Sequence, residues 1–233
     1  MNRHAALAAV AMMAVLAACG GGGLQPEDPA LALRQGGAAT ATLTTVTATM
    51  KVTKGTISFQ GFALVAATAA IRMPDQSDTT YTVRQQDVQL RLQVVILGAH
   101  VYLKPPLLRF SELTPQQAAS IPNLAKLFDP ATGLATVIPT GRDPKYQAVD
   151  TVDGVESHRV SATYSADQIT GMLRQLSSLS DVSAVIWIGG SDHFIRKATL
   201  SGKFGDNGTD CTVEVDLSGF NGSANITSPA RTA

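Results

Sequence analysis

Two stretches of the chain alternate apolar and polar residues without interruption. Over 46–52, Val46, Ala48, Met50 and Val52 fall on one side, with threonine and lysine on the other. Over 87–96, Val88, Leu90, Leu92, Val94 and Ile96 do the same. A period of two is that of a strand with one dry and one wet face, as in an antiparallel sheet covered on one side only. Shorter versions of the pattern predict strands near 58–70, 79–86, 100–104, 145–151, 155–164, 184–189, 194–204 and 210–218. Asp153-Gly154 suits a tight hairpin and Gly205–Gly208 a looser turn. Cys211 alternates with Val213, Val215 and Leu217, which makes it a small core residue and not a reactive thiol.

Helical spacing is confined to three places. Pro29 to about Thr42 is rich in Ala and Leu, although Gly36 and Gly37 weaken it as a helix. Thr114-Pro115 opens a second segment with a capping residue and a first-turn proline. That segment is expected to run to about Ile138, broken at Pro122 and Pro130. Ser165 caps a third, with Ile169, Met172, Leu173 and Leu176 following at helical spacing. The pattern predicts one α+β domain, with a few helices on one face of a long, curved antiparallel sheet.

The N-terminus follows a different pattern. Ala5–Ala18 is an unbroken apolar run of 14 residues after Arg3. As a helix it spans about 21 Å, short of a ~30 Å hydrocarbon core, so it reads as a signal peptide and not as a membrane span. It ends in Leu16-Ala17-Ala18-Cys19-Gly20, which matches the lipobox of bacterial lipoproteins. The expectation is cleavage before Cys19 and acylation of its thiol, giving a signal peptide over 1–18, a flexible tether over 19–30 and one domain over 31–233. Two or three acyl chains make such an anchor to the outer face of the cytoplasmic membrane persistent, whereas one is marginal.

Charge removes several classes of function. Without residues 1–18 and their single Arg3, the chain has a formal charge of −1 and no Lys/Arg cluster. That argues against nucleic acid and against a polybasic membrane patch. No Gly-x-Ser-x-Gly, His-Glu-x-x-His, Cys-x-x-Cys or phosphate-binding glycine loop occurs. His158 alternates with Val160 and Ala162 as a core or edge residue, His193 follows Asp192 in a turn, and His100 has no evident partner. No catalytic residue, metal or cofactor is expected.

Four segments carry a resemblance. They are Asp87–Pro105, ending Val101-Tyr102-Leu103-Lys104-Pro105; Leu127-Phe128-Asp129-Pro130-Ala131-Thr132-Gly133-Leu134-Ala135; Val152–Val160; and Val185-Ile186-Trp187-Ile188-Gly189 with Asp192-His193. In this order, behind a lipobox, they resemble the actinobacterial LppX/LprA/LprF/LprG lipoproteins. The resemblance implies a half-barrel of antiparallel strands with helices over its concave side and a large apolar cavity between them. It also implies binding of multi-acylated lipids or glycolipids, transfer toward the outer envelope, and a major-facilitator efflux pump as a partner. The Ala-rich strand 63–70 and the charged face at Arg84 and Arg91 depart from the pattern, so no lipid preference carries over.

The residues expected to line a cavity are Ala48, Met50, Ala63, Tyr81, Val83, Leu90, Leu92, Val94, Ile96, Phe128, Leu134, Val137, Ile138, Val160, Ala162, Ile186 and Ile188. Tyr81 and Val83 are expected at its rim. Small inward residues such as Ala48 and Ala162 fill a core poorly, and space for two or three acyl chains would exceed the usual ~300–1,000 Å³ of a small-molecule site. Two other classes stay open on the residues alone. One is a structural or accessory lipoprotein with a fully packed core that docks to an envelope partner. The other is a hydrolase of envelope lipids.

Overall fold

The computed structural model describes residues 23–172 and 178–229. The predicted signal peptide and Cys19 lie outside the described residues, as do Leu173 and Leu176. Strand β1 spans Thr45–Lys54, β2 Ser58–Phe59, β3 Phe62–Arg72, β4 Gln76–Gln85, β5 Val88–Leu97, β6 His100–Lys104, β7 Ser111–Glu112, β8 Arg142–Val152, β9 Val155–Tyr164, β10 Val182–Gly189, β11 Ile195–Gly202 and β12 Cys211–Ser218. They form one antiparallel sheet in the order β7-β6-β5-β4-β3-β1-β12-β11-β10-β9-β8, with β2 paired to β3. First and last strands meet in the middle, where Met50 pairs with Val215. The two halves of the chain fan out from there as successive hairpins. Asp153 and Gly154 form the predicted tight turn, both with positive φ.

The register places Leu92, Tyr81, Ala67, Met50, Val215, Ala198, Ile186 and Val160 in one row across eight adjacent strands. This is the dry face. The sheet is open, with β7 and β8 at its edges among the described residues.

Helix α1 spans Pro29–Thr40; the Asp28 carboxylate accepts from the Leu31 amide at 2.7 Å, and Pro29 occupies its first turn. It lies over β8, β9 and β10. The second helical segment breaks as its prolines predict into α2, Pro115–Ala118, a 3₁₀ turn at Leu124–Phe128, α3, Leu134–Val137, and a 3₁₀ turn at Ile138–Thr140. Thr114 and Gln117 close a capping box on α2. The Asp129 carboxylate accepts from the amides of Ala131 at 2.9 Å and Thr132 at 3.0 Å, which forms the turn into α3. These bonds hold its carboxyl below the usual carboxylate range. Helix α4 spans Ala166–Met172, capped reciprocally by Ser165 and Gln168.

Residues 23–28, expected as free tether, lie against the turns joining β8 to β9 and β10 to β11. The Leu24 amide donates to Glu156 Oε2 at 3.1 Å, and the Leu24 side chain occupies the space a Cβ at Gly190 would need. Glu27 stands 3.3 Å from Nε2 of the buried His158.

The sequence pattern misses a second apolar cluster on the outer face, where Val95, Tyr102 and Ile226 pack with Phe110. It forms because the C-terminal segment folds back over the sheet. Phe220 of that segment stacks on Phe194 at 4.7 Å and carries the Arg196 guanidinium at 5.4 Å. Arg196 in turn binds both carboxylate oxygens of Asp192, at 2.7 and 3.1 Å. Burial alone would push the Asp192 carboxyl up. The hydrogen bonds from Arg196 and from the Phe194 amide, with the guanidinium charge, outweigh this and hold it below the usual carboxylate range. A carboxylate depressed on folding stabilises the protein above its unfolded pKa, about 3.9, and loses that contribution as pH falls through the folded value. Thermal melts at descending pH should therefore show an acid loss of stability that is smaller in Asp192→Asn. Equal acid sensitivity in both proteins would rule this group out as a contributor.

Candidate functional site: an apolar cavity between sheet and roof

A cavity of about 240 Å³ lies between the dry face of the sheet and the short helical segments. Its floor comes from six adjacent strands, with Tyr81 on β4, Ala67 and Ala69 on β3, Ala48 and Met50 on β1, Val215 on β12, Ala198 on β11 and Ile186 on β10. Laid flat, β4 and β10 would stand about 24 Å apart at ~4.8 Å per strand. Both border one small space, so the sheet curls around it. The roof is Phe128, Leu134, Val137 and Ile138 from the broken segment, with Ile169 and Met172 from α4.

The wall is apolar apart from a few hydroxyls. Tyr164 donates its hydroxyl to the Ile138 carbonyl at 3.0 Å, which ties the end of β9 to the roof. The Tyr81 hydroxyl is buried without a hydrogen-bond partner, and its ring stacks on Phe59 at 4.1 Å. Burial raises the Tyr81 pKa above the ordinary phenol value.

Of the residues expected to line a cavity, the structure brings together Ala48, Met50, Tyr81, Phe128, Leu134, Val137, Ile138 and Ile186. The others lie off its wall, for three distinct reasons. On the α1 side, Val160, Ala162 and Ile188 are covered, with α1 passing over their strands and Gly36 seated against Ile188. On the opposite side, the chain leaves β7 at the sheet edge and reaches β3 and β4 at the 3₁₀ turn Leu124–Phe128, crossing β5. Val83, Leu92, Val94 and Ile96 are packed core there, while Leu90 is half-buried near the start of its strand. Val88, expected inward, is exposed at the very start of β5.

Ala63 is excluded by a bulge. It pairs with the exposed Arg84, and the register then shifts between Leu64 and Ala66. Leu64 and Ala67 thus both point inward, which no strict alternation predicts. Tyr81 and Val83 are not at a rim, since both are buried.

The cavity is smaller than the sequence suggests, because side chains of the roof reach down to the sheet. The roof is nonetheless made of pieces three to seven residues long. Helical turns that short have little stability of their own and depend on packing.

His100 bonds Glu112 at 2.7 Å on the surface, and His193 sits in a turn at φ 57°. His100, His158 and His193 therefore lie in separate surroundings, none on the cavity wall. Among the described residues no group of three His, Cys, Asp or Glu side chains is placed to hold a metal. Cys211 is buried between β11 and β1, and burial pushes its thiol pKa up.

These features define an α+β protein with an open, curled antiparallel sheet roofed by short helices over an apolar cavity. The chain belongs to the LppX_LprAFG lipoprotein family, whose model matches residues 28–226. It is similar to the lipoarabinomannan carrier protein LprG of Mycobacterium tuberculosis, with 30% identity over 127 residues, 52% of each chain. LprG of Mycobacterium leprae is 22% identical over 149 residues, 64% of this chain and 60% of that one. The chain thus spans about half the length of the curated relatives it matches. Among solved structures, LprF from Mycobacterium bovis aligns over 90% of this chain and 100% of its own with a TM-score of 0.69 and 19% identity. LppX from Mycobacterium tuberculosis aligns over 86% and 100% with a TM-score of 0.61 and 19% identity. Both show the same fold.

Proposed function

We propose that this protein is a lipid-binding envelope lipoprotein, not an enzyme, which holds the acyl chains of a multi-acylated lipid or glycolipid between sheet and roof and helps move them toward the outer envelope. The observation that carries this reading is the cavity, which is apolar apart from a few hydroxyls and bordered by no histidine or carboxylate among the described residues. Burial of acyl chain there is driven by area alone, at about 0.8 kcal/mol per methylene. Membership in a lipoprotein family and the likeness to lipoarabinomannan carriers support a glycolipid as cargo.

At about 240 Å³ the cavity falls below the ~300–1,000 Å³ of a drug-sized site. Loading of several chains therefore requires the roof from Pro122 to Ile138 and α4 to rise from the sheet. In this reading Cys19 carries the anchor in the cytoplasmic membrane, and the pinned segment 23–28 keeps the domain close to it. A membrane transporter of the efflux type is the partner that would hand lipid on.

The test is extraction and mass spectrometry of a chain lacking residues 1–19, purified from its native host. A stoichiometric lipid with two or more acyl chains is expected. A protein that is lipid-free as isolated and takes up no acyl lipid when incubated with host extract would overturn the proposal in favour of an accessory lipoprotein that acts by docking.

A further inference from the structure

The loop joining β6 to β7 carries a feature that core packing does not explain. Lys104-Pro105-Pro106-Leu107-Leu108-Arg109-Phe110 turns sharply, with the Leu108 amide donating to the Pro105 carbonyl at 3.2 Å. Leu107 occupies the third position of this turn at φ 62°, where glycine or asparagine is favoured. It is also fully exposed, and Leu108 beside it is 62% exposed. A leucine is thus held in a backbone conformation unfavourable to it in order to stand in water. Neither the fold nor the cavity gains from that arrangement.

The root of the loop is firm. Phe110 packs into the outer cluster with Val95, Tyr102 and Ile226, and the Lys104 ammonium lies 5.7 Å from the Phe110 ring centroid. The surrounding charge is basic. Lys104 and Arg109 flank the leucines, and Arg91 lies exposed on β5, two residues from Gln93, the partner of Lys104. None of the three is in an ion pair among the described residues. Of the acidic residues on the flanking strands and turn, Glu112 is bonded to His100, and Asp87 stands beside the exposed Val88.

We propose that this loop is a membrane-contact tip, which seats Leu107 and Leu108 in an anionic lipid bilayer while Lys104, Arg109 and Arg91 face its head groups. A bilayer fits better than a second protein. Two leucines offer far less than the ~1,200–2,000 Å² of a stable protein interface. An apolar tip with basic flanks, by contrast, meets an anionic bilayer through burial and charge together. The ladder of strand pairings places the tip at strand ends opposite the turns where Leu24 and Glu27 dock. The contact is therefore separate from the N-terminal attachment. It is also independent of what the cavity holds.

All strands and both apolar clusters found among the described residues lie within 23–229, so a chain beginning at Gly20 keeps them and lacks the N-terminal apolar run. Flotation of this chain with vesicles of phosphatidylcholine, with and without phosphatidylglycerol, tests the proposal. Binding is expected on the anionic vesicles, weakening as salt rises. Leu107→Asp/Leu108→Asp should lower partitioning at least tenfold, and Lys104→Gln/Arg109→Gln several-fold. Leu107→Gly separates contact from turn geometry, because it should raise the melting temperature while weakening vesicle binding. Flotation unchanged in the Leu107→Asp/Leu108→Asp chain, or absent in the unaltered one, would overturn the proposal. So would Leu107-dependent self-association in sedimentation without vesicle binding, since the occupant would then be a second copy. Equal binding to neutral vesicles by the unaltered and Lys104→Gln/Arg109→Gln chains would remove the anionic bilayer as the partner.

Discussion

Replacing Ala67 and Ala198 together by phenylalanine should reduce bound lipid at least tenfold while leaving the protein folded. The two alanines flank the central pair Met50 and Val215 in the row that crosses the floor of the cavity. Each shows the cavity only a methyl group, with a large neighbour on its outer side, Tyr81 for Ala67 and Ile186 for Ala198. Two rings projecting from here would take the space an acyl chain needs. In a well-packed core such enlargement costs about 1–3 kcal/mol. Here the added atoms meet empty volume and gain contacts, so the melting temperature should move by no more than a few degrees. Ala66→Phe is the control, because Ala66 pairs with Lys51 and Thr82 on the wet face. Mass spectrometry of co-purified lipid, normalised to protein, reads the effect. A doubly substituted protein that retains its lipid would show that the chains lie elsewhere.

That floor was partly legible in the amino-acid sequence, and its errors have causes that can be named. Alternation along β1 places Ala48 and Met50 correctly, because β1 is regular from Thr45 to Lys51 and paired on both sides. Along β3 the strict period of two that puts Ala67 and Ala69 inward also puts Ala63 there, and the bulge after Leu64, which periodicity does not reveal, brings Leu64 inward in its place. Along β5 and β9 it finds residues that do point inward. Whether an inward residue is core or cavity wall depends on what covers it, and strand periodicity has no information about the layer above. The roof residues Phe128, Leu134, Val137 and Ile138 were legible for a different reason. They are the apolar residues of a segment too broken by Pro122 and Pro130 to bury a face of its own. The outer cluster around Ile226 was not legible, because the C-terminal segment 219–229 has no periodicity and reaches the cluster through Ala224 and Ile226 alone.

Gly36 and Gly37 give the sharpest case, because the feature that argues against a helix is what allows this one to pack. Each glycine inside a helix costs about 1 kcal/mol relative to alanine. Yet α1 runs through both, with Gly37 buried against the roof. A Cβ at Gly37 would stand 2.6 Å from Pro139 Cγ and 2.8 Å from the Ala135 carbonyl oxygen, closer than any unstrained contact. The absent side chain thus sets the distance between α1 and the α3–Pro139 turn, and with it the height of the roof. Gly37→Leu should therefore destabilise the protein by about 3 kcal/mol, a fall of roughly 6–12 °C in melting temperature for a domain of this size. Gly37→Ala tests the argument more closely, since its propensity gain of about 1 kcal/mol opposes the clash. A net loss is expected, because one of the atoms it meets is backbone and cannot rotate away. Gly171 in α4 has nothing within 4 Å of its would-be Cβ among the described residues, so the same change there should raise stability by about 0.5–1 kcal/mol. Calorimetry on the two alanine variants should give shifts of opposite sign; a stabilising Gly37→Ala would mean that α1 is free to lift from the roof, and that the close approach at Pro139 does not fix the cavity.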